Sequence, residues 1–221
     1  MVNVMKLEIK NLSKVFKNNI VIDNVNIKME SGKIYAFIGR NGSGKSVLLK
    51  IICGFYSPSK GKVLLDGLDI TEEQLFLNDT RALIEHPSFL DNLSGYENLK
   101  VLAQIQNKIG DDEILKSLDD VNLLEQKDKK YSTYSLGMKQ KLGIAQVLME
   151  DPKIMIFDEP FNGVEEDTVK KIREKLCQLK NNGKIIIIAT HIKDDIEKLA
   201  DNIFYFDAGK ITEMKGNKTR N

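Results

Sequence analysis

The chain has 221 residues, 42% of them hydrophobic, and 33 basic against 32 acidic side chains leave a formal net charge of +1. That length and apolar share suffice to bury a sizeable core, in one domain or two closely joined lobes, and exclude a disordered chain. The charge balance gives no bulk electrostatic pull toward nucleic acid or an anionic membrane.

The first residues, from Met1 to Lys6, lack the basic, apolar and small-residue parts of a secretory signal. No apolar run approaches the roughly 20 residues that span a bilayer. Any membrane-spanning part is therefore expected on another polypeptide.

Lys6 to Leu12 and Val21 to Met29 alternate apolar and polar residues, as half-buried strands do, and predict an antiparallel β layer. Ile34 to Ile38 is a continuous apolar run ended by Gly39, and after Lys45 come Val47-Leu48-Leu49 and Ile51-Ile52. This reads as strand, glycine turn and helix. From Leu93 to about Glu150 the period becomes helical, with Ser94 and Glu97 spaced as a capping box, which predicts an inserted helical lobe. Ile154 to Phe157 and Ile185 to Ala189 are β-branched apolar runs expected of strands covered on both faces, and Val164 to Leu179 between them has helical spacing. Repeating strand and helix units favour a parallel sheet. Cys53 and Cys177 lie in apolar helical patterns and are expected as buried, reduced thiols. Lys127 to Lys130 and the segment from Lys215 are expected to be solvated.

Gly39-Arg40-Asn41-Gly42-Ser43-Gly44-Lys45-Ser46 is a complete phosphate-loop pattern between a strand and a helix. Its glycines let backbone N–H groups turn inward on the β and γ phosphates, and the helix adds the positive end of its dipole. Residues 39–47, ending at Val47, are the candidate nucleotide-binding loop, with Lys45 reaching phosphate oxygens and the Ser46 hydroxyl on magnesium. Asp158 ends an apolar run, where the carboxyl edge of a parallel sheet presents a carboxylate to ligand, and is a second candidate for magnesium. Glu159, next in line, is the candidate general base for the attacking water. His191 follows another apolar run, at a strand end where an imidazole can meet the γ phosphate.

These segments, with Tyr134-Ser135-Leu136-Gly137-Met138-Lys139-Gln140 between them in a fixed order, resemble the nucleotide-binding subunit of an ABC transporter from about Leu7 to about Glu213. The resemblance implies an α/β P-loop NTPase fold: a RecA-like parallel-sheet core over residues 1–86 and 151–214, with an N-terminal antiparallel β layer, a helical lobe over 87–150 and a flexible tail over 215–221. It implies that His191 is the γ-phosphate switch and that Phe16 stacks on adenine. It also implies that Ser135 and Gly137 reach the ATP held by a second copy in a head-to-tail pair. The expected cofactors are ATP and Mg2+. The expected partners are that second copy and a separate transmembrane permease, with no nucleic acid, at the cytoplasmic face of a bacterial membrane.

The family usually carries glutamine where this chain has Glu85, which is expected beside nucleotide and magnesium. Glu85 and its surroundings, from Ala82 to Pro87 and Leu93 to Leu99, look like the branch serving bacteriocin and lantibiotic immunity and bacitracin-type resistance. Glu165 stands where aspartate is more usual. The permease is expected to dock around Glu85, Phe89 and Tyr96. The competing reading, a soluble ATPase of this family acting on ribosomes or DNA, usually needs two such units or a long coiled-coil insertion.

Overall fold

A computed structural model of the chain describes residues 4–71, 77, 79–192, 196 and 199–216. Strand β1 (Lys6–Phe16) pairs antiparallel with β2 (Asn19–Glu30) and with β4 (Lys60–Leu65), and the short β5 (Leu68–Asp69) completes a four-stranded sheet of order β2-β1-β4-β5. The second sheet has the order β10-β9-β3-β8-β7-β6. Its strands are β3 (Lys33–Ile38), β6 (Thr80–Leu83), β7 (Ile154–Asp158), β8 (Ile185–Thr190), β9 (Asn202–Asp207) and β10 (Lys210–Gly216). All run parallel except β10 against β9.

The apolar runs are continuous because each central strand feeds two cores. Along β3, Ile34, Ala36 and Ile38 face the core beneath the helical lobe, while Tyr35 and Phe37 face the core between the two sheets. On β8, Ile186 and Ile188 take the first side, and Ile185, Ile187 and Ala189 the second. This is the two-residue period of a strand with no face left for water.

Helix α1 (Lys45–Ile52) packs in the core between the sheets, and α5 (Glu166–Asn181) covers the opposite face. The helical stretch expected from Leu93 to about Glu150 consists of α2 (Gly95–Gln106), α3 (Asp111–Asp120), two isolated 3₁₀ turns and α4 (Leu136–Leu148). The Ser94 capping box is formed: its hydroxyl accepts from the Glu97 N–H at 3.1 Å, and Glu97 Oε2 accepts from the Ser94 N–H at 2.7 Å. Two orphan donors of the helix start are thereby satisfied.

Lys215 and Gly216, which fall in the tail expected over 215–221, pair with Ile203 and Asn202 in the β10 ladder. The remainder of that segment lies outside the described residues. Cys53 closes α1 and is buried, which pushes its thiol up to about 12; Cys177 on α5 is only partly buried, and neither is in a disulfide. Among the described residues no helix is long and apolar enough to cross a membrane.

Strand register decides where the chemistry sits. Ile38 lies beside Thr190, and Asp158 beside Ala189, so the residues that follow them, Gly39, Glu159 and His191, leave the sheet at one carboxyl edge.

Candidate functional site

At that edge the chain turns from β3 into α1 through the phosphate loop. The Gly39 N–H donates to Thr190 O at 3.3 Å and the Ser43 N–H to Arg40 O at 3.1 Å. A Cβ on Gly39 would lie 2.4 Å from Phe206 O, so only glycine lets the loop leave the strand here. Gly44 needs its freedom twice over, with φ at 104° and Val21 O 2.8 Å from where a Cβ would stand. The first intrahelical bond runs from the Leu48 N–H to Gly44 O, so the N–H groups of Lys45, Ser46 and Val47 precede the ladder at the positive end of the helix.

Lys45 is 5% exposed, and its ammonium donates to the carbonyls of Gly39 at 2.6 Å and Arg40 at 3.2 Å. Burial pulls its pKa down, opposed by the nearby charges of Glu159 and Asp158. Asp158 is equally buried, and burial raises its pKa against a hydrogen bond from the Ser46 hydroxyl. The Ser43 hydroxyl is buried without a hydrogen-bond partner. The N–H groups at the helix start, an orphaned hydroxyl and a buried cation make a cradle suited to an oxyanion, and Ser46 with Asp158 offers oxygen donors of the kind magnesium takes. Among the described residues no group of three or more His, Cys, Asp or Glu side chains could hold a metal ion. A magnesium ion here would therefore need phosphate oxygens as well.

Lys45, Ser46, Asp158, Glu159 and Glu85 line one cavity of about 590 Å³, together with Asn41, Gly42, Gly44, Val47 and four further residues, Val21, His86, Gln140 and Asn162. Glu159 is held on both oxygens. Thr190 Oγ1 donates to Oε2 at 2.9 Å, and His191 Nδ1 lies 2.8 Å from Oε1. The backbone of Glu159 is fixed as well: φ is 49°, its N–H donates to Ala189 O at 2.8 Å, and its carbonyl accepts from Gln140 Nε2 at 3.1 Å. The left-handed turn redirects the side chain as the strand ends.

Glu85 also has a left-handed backbone, with φ at 61°, and its Oε1 is 2.5 Å from Lys50 Nζ. Arg40 is exposed at the loop. Phe16 is 38% exposed and is not among the residues lining the cavity; its ring meets Tyr56 edge-on at 5.5 Å, under the Lys14 ammonium at 4.8 Å. Ser135 and Gly137 also stand apart from the cavity of their own chain. Ser135 caps α4 by accepting from the Met138 N–H at 3.2 Å, and a Cβ on Gly137 would lie 2.2 Å from Gly163 O. Glu165 pairs with the buried Lys141 at 3.2 Å, which together with a backbone hydrogen bond holds its carboxyl below the usual range.

Thr190, Gln140 and Lys50 contact candidate site residues, and the linear pattern did not single them out. Lys50 follows Ser46 by one helical turn, which puts both on one face of α1 and was readable from spacing. Gln140 reaches Glu159 only through tertiary packing.

The family model described as ABC transporter matches residues 22–162. A bacitracin transport ATP-binding protein, BcrA, from Enterococcus faecalis is 37% identical over 94% of this chain and 68% of its own length. A lantibiotic transport ATP-binding protein, SrtF, from Streptococcus pyogenes is 37% identical over 93% of this chain and 88% of its own. Among solved structures, an ATP-binding subunit of an ABC transporter superposes with a TM-score of 0.85 at 26% identity, covering 95% of this chain and 89% of that one. A nucleotide-free ATP-binding cassette superposes with a TM-score of 0.82, also at 26% identity, over 96% and 91%.

Proposed function

The chain belongs to the ABC transporter family, and on that premise we propose that it hydrolyses ATP to drive a separate membrane permease that expels an antimicrobial peptide of the bacitracin or lantibiotic kind. The observation that carries the hydrolytic part is the clamped Glu159 carboxylate in the same cavity as the buried Lys45.

In this reading the loop N–H groups and Lys45 bind the β and γ phosphates, offsetting charge that builds up as phosphoryl transfer proceeds. Ser46 and Asp158 would hold a magnesium ion, which when bound would neutralise phosphate charge. Glu159 takes the proton of the attacking water. Thr190 and His191 keep its carboxylate aimed, so that little reorganisation remains at the moment of reaction. His191 also meets the γ phosphate, and Phe16 packs on the adenine.

Ser135 and Gly137 lie outside their own chain's cavity at the N-terminus of α4, a position suited to an anion brought by another molecule. We assign that role to a second copy in a head-to-tail pair, closed by ATP and released by hydrolysis.

The permease is seated in a second cavity of about 460 Å³, lined by residues that include His86, Pro87, Phe89, Leu90, Val101 and Leu102. Leu90 and Val101 are exposed apolar side chains there, 54% and 43% accessible, of the kind a partner helix covers. Of the three residues expected on this surface, Phe89 lines the cavity, whereas Glu85 and Tyr96 do not. The assembly sits at the cytoplasmic face of a bacterial membrane.

The test is affinity purification of the tagged chain from gently solubilised membranes, with and without Glu159→Gln, joined to an ATPase assay. A stoichiometric multi-span membrane protein and bacitracin- or lantibiotic-sensitive cells on its deletion are expected. Recovery with ribosomes, DNA or nothing would overturn the transport reading and leave the ATPase to be judged by its own assay.

A further inference from the structure

Strands β3 and β9 are parallel neighbours with Ile38 beside Tyr205, so the carboxyl end of β9 arrives next to the phosphate loop. The hairpin into β10 turns there through Ala208 and Gly209, whose φ values of 44° and 80° are both positive, as a two-residue turn of the primed kind requires. Gly209 spends both of its backbone groups outside the hairpin. Its N–H donates to Ser43 O at 3.0 Å, and its carbonyl accepts from the Asp23 N–H at 2.9 Å. One residue of the turn thus bridges the phosphate loop to β2. The junction has no room for a side chain: a Cβ on Gly209 would lie 2.5 Å from Val21 O, and Gly209 Cα is 3.5 Å from where a Cβ on Gly44 would stand. The Lys210–Asp23 ion pair beside it, at 3.1 Å, is 63% and 40% exposed and adds little, so the two backbone bonds make the bridge.

We propose that Gly209 is a positioning residue for the phosphate loop, fixing the Ser43–Gly44 peptide so that the Gly44 N–H faces the bound phosphates. This rests on the nucleotide-site reading above. A peptide unit is planar and trans, so its C=O and its N–H point in opposite directions. Ser43 O is drawn to Gly209 on one side, and the N–H on the other side of the same plane belongs to Gly44, which lines the cavity. Glycine at 44 restricts that plane less than any other residue would, and without the Gly209 donor the plane is free to swing. A donor held in place before the ligand arrives has no ordering cost left at binding, whereas a swinging one does. The loss falls on the phosphates and spares the base and the sugar.

The discriminating measurement is displacement of a fluorescent ATP analogue from the full chain by ATP and, separately, by inorganic tripolyphosphate, which carries no base or sugar. Semisynthesis that puts glycolic acid at position 209 turns the amide into an ester, removing the N–H without adding a Cβ. It is expected to weaken both competitors alike, by about three- to tenfold, the scale of one hydrogen bond. Gly209→Ala is expected to weaken both by at least as much. Gly61→Ala on β4 controls for lost stability, since Gly61 also has a positive φ, 76°, and has Asn11 O against the place of a Cβ. It is expected to lower the thermal transition and leave both affinities at the wild-type value. Wild-type affinity for tripolyphosphate in the ester, or an equal loss of affinity in Gly61→Ala, would overturn the assignment. Should Gly209→Ala fail to fold, the ester decides. A wild-type chain that binds neither ATP nor tripolyphosphate would instead sink the nucleotide-site reading itself.

Discussion

His191 Nδ1 and Glu159 Oε1 lie 2.8 Å apart, although 31 residues of intervening chain and two strand ends separate their neighbourhoods. The contact exists because β7 and β8 are adjacent and parallel, and both stop at the same level.

Glu159→Gln keeps the shape of that side chain and removes its basicity. ATP hydrolysis should fall by about 10²- to 10⁴-fold, the usual worth of a general base, with ATP binding retained. Size-exclusion chromatography with light scattering should then find an ATP-bound dimer. A monomer at saturating ATP would count against both the base and the pairing.

Thr190→Val removes the donor to Glu159 Oε2 without changing the side chain's shape. A single lost hydrogen bond in this setting is worth on the order of tenfold in kcat, with KM for ATP nearly unchanged. Thr190→Ser should recover most of the rate. Equal loss in kcat and affinity would mean that Thr190 supports binding instead.

Asp158 trades stability for function. Burial raises its pKa in the folded chain, so the folded state favours the protonated form, and stability declines as pH climbs from the ordinary carboxylate range through the raised value. Above the raised value the full penalty is in place. Asp158→Asn should therefore raise the Tm of the nucleotide-free protein at pH 7 and flatten its dependence on pH, while weakening magnesium-dependent ATP binding by about tenfold or more. Scanning calorimetry across pH checks the first part, and a lower Tm at pH 7 would contradict it.

Gly137→Ala would drive a methyl group against Gly163 O, 2.2 Å away, with backbone on both sides of the contact. Overpacking of this kind costs about 1–3 kcal/mol. A lowered urea midpoint with an unchanged slope should accompany loss of ATP-driven pairing. Wild-type stability would show that the α4 junction yields without cost.

The apolar runs of β3, β7 and β8 could be read because strands buried on both faces carry no polar interruption. Strands β4, β6, β9 and β10 were not singled out. Thr80–Leu83 is only four residues long and contains Arg81, whose guanidinium pairs with Glu150 beyond α4, a contact that no local pattern announces. The helical lobe was legible at its start, where Ser94 and Glu97 bond each other, but its interior breaks follow from packing. The phosphate loop is contiguous, and so its geometry is written in adjacent residues. The supports of Glu159 come from α4 and β8, and only the fold brings Gln140 and Thr190 to it.

Gln140 has one further consequence. It lies on the helix capped by Ser135 and grips the main chain of Glu159 in the same molecule. In the head-to-tail pair proposed above, the end of α4 that touches a neighbour's nucleotide is thus mechanically continuous with the residue that cuts its own. Each copy's reactive carboxylate registers whether that copy has hold of its neighbour, and two sites built this way keep time with each other.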